Sequence, residues 1–473
     1  MKSKVLALIL LCGAASLGAK VKLPALVGDN MILQQQTEVK LWGTAAPEAE
    51  VRVTPSWNGQ TMTCRADKDG GWTLAVETPA AGYTPYEITF DDGEKTTLKN
   101  ILIGEVWLAS GQSNMEMPLK GFAGCCIMNG ADDIIVSAEN KGVRMFTVPK
   151  HQTYELQTDC KGSWNISSIE TAPDFSATAY YFATSLSCAL RIPVGIICSA
   201  YGGSTVEGWI SRELLENYPD ISLNPDSIER LHPMLRPMLM YNAMLKPLQN
   251  YTIKGFIWYQ GESNVGRHET YAERLADMVQ LWRKEWGLGE LPFYFAEIAP
   301  YAYGGTQQEK AAYLREAQFR AQSLIPNSGM ISTNDLVEPY EMYNIHPRNK
   351  TKVGQRLSYL ALNLTYGLKQ IHCFGPQYKS WTAKGSEAWV SFDHLEMGIC
   401  RNYDLRGFEV AGEDRVFHPA DKVWLHWQTN EVVISSEKVS HPVSVRYCFH
   451  DFQIGTMIGG NELPTIPFRT DNW

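Results

Sequence analysis

Beyond residue 20, short apolar runs alternate with turn residues. Met31-Ile32-Leu33, Val39-Lys40-Leu41-Trp42, Val51-Arg52-Val53 and Trp72-Thr73-Leu74-Ala75-Val76 are separated by breakers such as Gly28-Asp29-Asn30, Asn58-Gly59 and Asp69-Gly70-Gly71. Short strands at this spacing predict a small β-sandwich-like domain over 20–100. The pattern lengthens from 101 to 370. Strand-like runs at 102–109, 193–200, 253–259, 291–298 and 329–333 alternate with helical patterns at 175–190, 269–286, 308–324 and 348–366. That alternation predicts a parallel sheet covered by helices. Residues 371–473 return to short strands, among them Val423-Trp424-Leu425-His426-Trp427 and Glu431-Val432-Val433-Ile434-Ser435, and predict a C-terminal β-rich, sandwich-like region. No internal repeat interrupts this β, α/β, β order.

Residues 1–19 read differently. Lys2 and Lys4 precede the apolar run Val5 to Leu11, and Ala14, Ala15, Ser16, Gly18 and Ala19 supply small residues for cleavage. This is the three-part pattern of a secretory signal peptide. The run falls far short of the ~20 residues that span a bilayer. Cys12 raises lipoprotein anchoring, but the bulky Leu10-Leu11 before it fits a lipobox poorly. The expectation is a secreted or periplasmic protein with no membrane span.

Composition narrows the function classes. The 473 residues carry 42 Lys+Arg against 51 Asp+Glu, a net charge of −9, so no basic excess exists to neutralise nucleic-acid phosphates. A hydrophobic share of 44% supports a sizeable core rather than a disordered chain. Ten cysteines form no Cys-x-x-Cys pair, which argues against a zinc or iron–sulfur framework. Cys188 and Cys198 lie in apolar runs and read as buried thiols. The many Trp, Tyr and Phe side chains offer either faces for stacking pyranose rings or simply core.

Three predicted strands end in polar, glycine-containing turns. Val106-Trp107-Leu108-Ala109 runs into Ser110-Gly111-Gln112-Ser113-Asn114-Met115; Val194 to Cys198 into Tyr201-Gly202-Gly203-Ser204-Thr205; and Phe256-Ile257-Trp258-Tyr259 into Gln260-Gly261-Glu262-Ser263-Asn264. In an open parallel sheet all three turns lie at the carboxyl edge, where sites form. Ser113 is the natural nucleophile, with its own N–H facing a developing oxyanion; an N-cap is its plain structural reading. A serine needs a base. His346, in Asn344-Ile345-His346-Pro347-Arg348, follows the strand predicted at 329–333 and so belongs to the same edge. No Gly-x-Ser-x-Gly elbow is present, which argues against an ordinary α/β-hydrolase.

Gly111-Gln112-Ser113-Asn114-Met115, Gly202-Gly203-Ser204, Trp258 to Asn264 and Ile345-His346-Pro347-Arg348-Asn349-Lys350 resemble, in order, the blocks of SGNH-type hydrolases, and more narrowly the sialate O-acetylesterase and related carbohydrate acetylesterase group. The openings Lys22-Leu23-Pro24 and Asp29 to Gln35, and Glu462-Leu463-Pro464 near the end, are similar to that group as well. The resemblance implies a flavodoxin-like three-layer α/β/α hydrolase domain flanked by N- and C-terminal β-domains, and an acyl-serine mechanism without a cofactor or metal. Carried over by position, Ser113 is the nucleophile, His346 the general base, and the Ser113 and Gly203 N–H groups are oxyanion donors. A side-chain amide of the third block completes the hole; Gln260, directly after the strand, is preferred over Asn264.

The acid that would partner His346 departs from the family pattern. Tyr343 stands three residues before the histidine where SGNH enzymes carry Asp, and Asn344 stands where relatives have Asp-Ile-His-Pro. Asp335, Glu338 and Glu341 remain. Asp335, closing a predicted strand, is the best placed to reach the site, or else caps that strand end. Asn344 as a neutral partner, or a Ser–His dyad, stays open. Glu262 is read as holding its block's geometry. For substrate, Trp209, Trp258 and Tyr259 are candidate sugar platforms, and Arg348 a candidate for a sialic acid carboxylate. Cys125-Cys126 are placed near the entrance. The expected activity is removal of O-acetyl groups from carbohydrates, sialic acid first. An acetylxylan-type or other SGNH acylhydrolase is the alternative, and a non-catalytic glycan-binding protein the alternative of a different class.

Overall fold

The computed structural model describes residues 20–473; the signal-peptide reading of 1–19 and Cys12 lies outside the described residues. The organising element is the strand Lys95–Gly111. Its first half pairs antiparallel with Gly82–Asp91 and parallel with Ile32–Gln34 in the N-terminal β-region. Its second half enters the central sheet between Val194–Ala200 and Gly255–Tyr259. One continuous strand therefore couples the N-terminal region to the catalytic-type sheet. It is buried without interruption from Ile101 to Gln112, as a strand covered on both faces must be.

Across the central sheet the order is Ser328–Ile331, Phe293–Ala296, Gly255–Tyr259, Lys95–Gly111, Val194–Ala200, Val143–Thr147 and Trp164–Ile166. All pairs are parallel except the last. From the central strand the chain first builds one side and then the other. Topology of this kind opens a crevice at the carboxyl ends of the strands.

Period-two alternation sorts the side chains between two cores. Phe256 and Trp258 point to the face covered by the helices Tyr271–Trp286 and Lys310–Leu324. Ile257 and Tyr259 point to the face covered by Ala177–Leu190 and Lys350–Leu360. These last two helices pack closely because residue 354 is glycine; a Cβ there would sit 2.6 Å from the Thr178 carbonyl oxygen. The result is the three-layer α/β/α arrangement expected from the resemblance. Two four-stranded antiparallel sheets follow in the C-terminal region, sharing a core built around Val390, Val410, Val432 and Val445.

The predicted strands and helices of the central region recur within a few residues. The sequence reading passes over Val143–Thr147 and Trp164–Ile166, which lie on the outer side of the sheet. Arg144 breaks the apolar run of the first, and the second is only a three-residue antiparallel edge. Cys198 is buried as expected, whereas Cys188 is exposed, because it falls on the outer side of the helix Ala177–Leu190. All nine described cysteines are free thiols. Among the described residues no helix is long and apolar enough to cross a membrane.

Candidate active site

The three polar turns and the histidine loop meet at the carboxyl edge of the sheet. Gly111 sits at φ +141°, and a side chain on it would run into the Tyr259 carbonyl. Only glycine lets the first and third turns approach this closely. Ser113 then opens the short helix Ser113–Glu116. Gly202 lies against it: a Cβ on Gly202 would be 3.4 Å from Ser113 Cβ. The Gly202 N–H donates to Glu116 Oε2 at 2.5 Å, and the other oxygen of that carboxylate takes Lys150 Nζ at 2.7 Å. Neither the Ser113 N–H nor the Gly203 N–H has an acceptor among the described residues. Two adjacent free backbone donors beside a serine hydroxyl are the groundwork of an oxyanion site.

His346 is held by its backbone. Its N–H donates to Asn344 Oδ1 at 3.0 Å, and its ring packs edge-on to Phe122 with centroids 5.3 Å apart. The Phe122 loop also brings Cys125, whose thiol reaches Asn344 Oδ1 at 3.7 Å. The link between the serine turn and the histidine loop is Asn114. Its Nδ2 donates to the Ile345 carbonyl at 3.0 Å and to Glu262 Oε1 at 2.5 Å, and its Oδ1 accepts from Lys350 Nζ at 2.6 Å. One buried amide therefore ties together the residue after the nucleophile, the third block and both sides of His346.

The charges in this network are strongly perturbed. Burial, with the nearby Lys350 ammonium, pulls the His346 imidazole down to about 4, against a smaller opposing effect of Glu116. Burial pulls Lys350 down to about 7, opposed by Glu262 and Glu341, and burial raises the Glu262 carboxyl. His346 is consequently a neutral imidazole at physiological pH, the form a general base requires.

Several expected residues are not where the chemistry needs them. Asp335 does not reach His346. Its two oxygens are taken by Arg356 of the helix Lys350–Leu360, from Nη1 at 2.7 Å and Nη2 at 2.6 Å. Glu338 and Glu341 form a reciprocal capping box on the turn Pro339–Glu341, and Glu341 Oε1 also accepts the Arg348 N–H at 3.1 Å. No carboxylate bonds the imidazole among the described residues. Trp209 and Trp258 are 0% exposed and Tyr259 1%. The two tryptophans pack edge-to-face at 6.1 Å beneath the helix Tyr271–Trp286. They are core, because the covering helix layer claims that face of the sheet, and they offer no platform to a sugar. Arg348 lies beside His346 in the chain, with its guanidinium 5.7 Å over the exposed Tyr340 ring.

Both third-block amides are fully engaged. Gln260 Nε2 donates to Asn264 Oδ1 at 2.8 Å, Ser204 O at 3.1 Å and Gln112 Oε1 at 3.2 Å, while its Oε1 accepts the Tyr271 hydroxyl at 2.9 Å. Asn264 Oδ1 also accepts the Val206 N–H, and its Nδ2 donates to Glu207. Neither has a donor left. Gln112 does, and sequence reasoning missed it. Its Oε1 accepts from Gln260 Nε2, the Gly261 N–H at 3.1 Å and the Ser263 N–H at 3.4 Å, which fixes the amide's orientation. Its Nε2 finds no acceptor among the described residues. The signal available beforehand was its position directly before Ser113. Also among the described residues, no group of three or more His, Cys, Asp and Glu side chains gathers as metal ligands.

The His346 loop is tethered through Asn114 to the turn that carries Ser113 and its free N–H donor, and the comparisons place the chain among ester hydrolases. Residues 103–363 match the family model described as carbohydrate esterase, sialic acid-specific acetylesterase. The chain is similar to the crystal structure of a carbohydrate acetylesterase from Xanthomonas citri, at 32% identity and a TM-score of 0.85, covering 96% of this chain and 100% of that one. It is 26% identical over 468 residues to the sialate O-acetylesterase of Mus musculus, covering 86% of this chain and 85% of that protein. To the Homo sapiens enzyme it is 27% identical over 436 residues, covering 85% and 82%. The class is thus a carboxylic ester hydrolase of α/β/α fold. Within that class, the chain belongs to the sialic acid-specific acetylesterase family of carbohydrate esterases.

Proposed function

We propose that this protein removes O-acetyl groups from sugars, sialic acid first, by way of an acetyl-serine on Ser113. The observation that carries the reading is the pair of unpartnered N–H groups, Ser113 and Gly203, beside a serine whose neighbour Asn114 is hydrogen-bonded to the His346 loop. In the first step neutral His346 takes the Ser113 hydroxyl proton as Oγ attacks the acetyl carbonyl. The oxyanion is met by the Ser113 and Gly203 N–H groups and by Gln112 Nε2 as the third donor. The imidazolium then protonates the departing sugar oxygen. Water, deprotonated by His346, releases acetate and restores the serine. With Asp335 held by Arg356, the machinery is a Ser–His pair, the imidazole oriented by its packed loop. The pattern of residues 1–19 supports action outside the cytoplasm.

The test is acetate release by wild type and Ser113→Ala on O-acetylated sialic acid and on acetylated xylooligosaccharide. Wild type is expected to release acetate, faster from the sialic acid, and Ser113→Ala to lose at least ~10³-fold. Acetate release by Ser113→Ala at the wild-type rate overturns the nucleophile assignment. A preference for the xylooligosaccharide overturns the substrate assignment.

A further inference from the structure

The turn 201–204 carries Gly203, and most of its polar groups are pinned. The Tyr201 N–H donates to the Gly111 carbonyl at 3.0 Å, and the Ser204 N–H to the Tyr201 carbonyl at 3.1 Å. The Gly203 carbonyl accepts the Ser263 hydroxyl at 2.8 Å, and the Ser204 carbonyl accepts Gln260 Nε2 at 3.1 Å. Between these fixed points lies a Gly-Gly pair with no Cβ to limit rotation, and Gly203 stands at φ +77°. What holds this pair on its upstream side is a side chain. Glu116 Oε2 takes the Gly202 N–H at 2.5 Å.

Glu116 ends the short helix that Ser113 opens, and its own N–H donates to the Gln112 carbonyl at 2.8 Å. Nucleophile and pin therefore sit on one small backbone unit. Gly202 is enclosed by the same two residues: a Cβ on it would lie 2.8 Å from Glu116 Oε2 and 3.4 Å from Ser113 Cβ. The other carboxylate oxygen, Oε1, takes Lys150 Nζ at 2.7 Å, and that ammonium also lies 5.6 Å over the Tyr201 ring. Lys150 thus supplies a countercharge. A strong, charge-assisted acceptor stands beside the turn without an unbalanced negative charge to oppose the developing oxyanion. Both side chains are partly exposed, 22% for Glu116 and 53% for Lys150, so substitutions here leave the buried core intact.

We infer that Glu116 is a positioning residue for the oxyanion site: through the Gly202 N–H it holds the Gly202–Gly203 pair so that the Gly203 N–H faces the oxyanion formed at Ser113. The inference rests on the proposed acetyl-serine reading and adds to it the device that keeps one donor in place. An oxyanion donor acts only within hydrogen-bond reach, about 2.7–3.1 Å, of where the charge develops. A free Gly-Gly pair would sample many orientations of that N–H. Glu116 acts through the backbone and neither makes nor breaks a bond.

The test compares wild type, Glu116→Ala and Glu116→Gln on 4-nitrophenyl acetate, an acetyl ester whose turnover is independent of sugar recognition. Acylation and deacylation both pass through an oxyanion, so the loss falls on kcat and not on KM. Glu116→Ala is expected to lower kcat at least ~10-fold, part of the ~10²–10³-fold that a whole donor contributes, with KM within ~3-fold. Glu116→Gln keeps an acceptor for the Gly202 N–H and restores kcat to within ~5-fold of wild type. Methylboronic acid reads the same donor without turnover. Ser113 Oγ adds to boron, its proton passes to His346, and the tetrahedral boronate anion occupies the oxyanion site. Its affinity is expected to fall in Glu116→Ala by about the factor lost in kcat. A kcat in Glu116→Ala within threefold of wild type, a loss carried by KM, or Glu116→Gln as impaired as Glu116→Ala overturns the inference. Amide exchange of the stretch 200–205, read by mass spectrometry, tests the tether without activity: one more fast-exchanging amide in Glu116→Ala supports it, and exchange equal to wild type overturns it. If wild type hydrolyses neither this ester nor an O-acetylated sugar, the deacetylase reading fails, while the exchange measurement still decides the tether.

Discussion

Asn114→Ala is the sharpest probe of how the site is held. The wild-type amide is fully buried and makes three hydrogen bonds, two of them to the ionisable groups of Glu262 and Lys350. A hydrogen bond to a charged group contributes roughly 1.5–3 kcal/mol, and a neutral one about 1. Their loss amounts to about 4–7 kcal/mol before relaxation. Water entering the vacated space and a closer approach of Lys350 to Glu262 offset part of this. The expected net destabilisation is about 3–5 kcal/mol, the usual cost of breaking a buried charged network. Activity falls for a separate reason. The Ile345 carbonyl loses its tether, and a displacement of about 1 Å in the general base costs on the order of 10²-fold. The assays are urea denaturation followed by tryptophan fluorescence, and kcat/KM for acetate release measured well below the denaturation midpoint. A stability loss under about 1 kcal/mol together with kcat/KM within threefold of wild type would refute the claim that Asn114 joins the two loops.

Three further outcomes are expected. Wild-type kcat/KM keeps its acid limb near pH 4, where His346 takes up a proton; Lys350→Met removes a positive charge that holds that imidazole down, so the limb moves to higher pH, and a limb that stays or moves lower contradicts the electrostatics. Asp335→Asn weakens the pair with Arg356 and lowers stability by about 2–3 kcal/mol, discounted for partial exposure, while kcat/KM at moderate temperature changes less than threefold; a 10³-fold loss would return Asp335 to the catalytic machinery. Gly203→Ala forces an L-residue to φ +77° and drives its Cβ into the Met234 sulfur; displacement of that N–H lowers kcat by about 10²–10³-fold, and a rate within fivefold of wild type argues that Gly203 donates nothing.

Much of the fold was legible along the chain. Apolar runs ending in glycine turns mark strands wherever the sequence is followed, because a strand buried on both faces must be apolar from end to end. Phe256 to Tyr259 is such a run, and the turn after it is third-block chemistry. The order of the blocks also carried the family, since each block is a local stretch whose residues act from one loop. Of the two outer strands, Val143–Thr147 escaped because Arg144 interrupts its apolar run, and Trp164–Ile166 because it is a three-residue edge.

Ser113, His346 and the position of Gly203 were therefore written into the sequence itself: each belongs to a turn whose place at the carboxyl edge follows from the strand before it. What the tertiary structure alone decided is which polar group meets which. Asp335 was in the right place along the chain, but Arg356, a helix away, claims its carboxylate. Trp209 and Trp258 had the right chemistry for a platform, but the helix layer buries them. Gln260 and Gln112 carry identical amides, and only the packing of the third block against the first exhausts one and leaves the other a free donor. Hydrogen-bond partnership and burial depend on residues brought together from distant parts of the chain, and neither has a signature in local pattern.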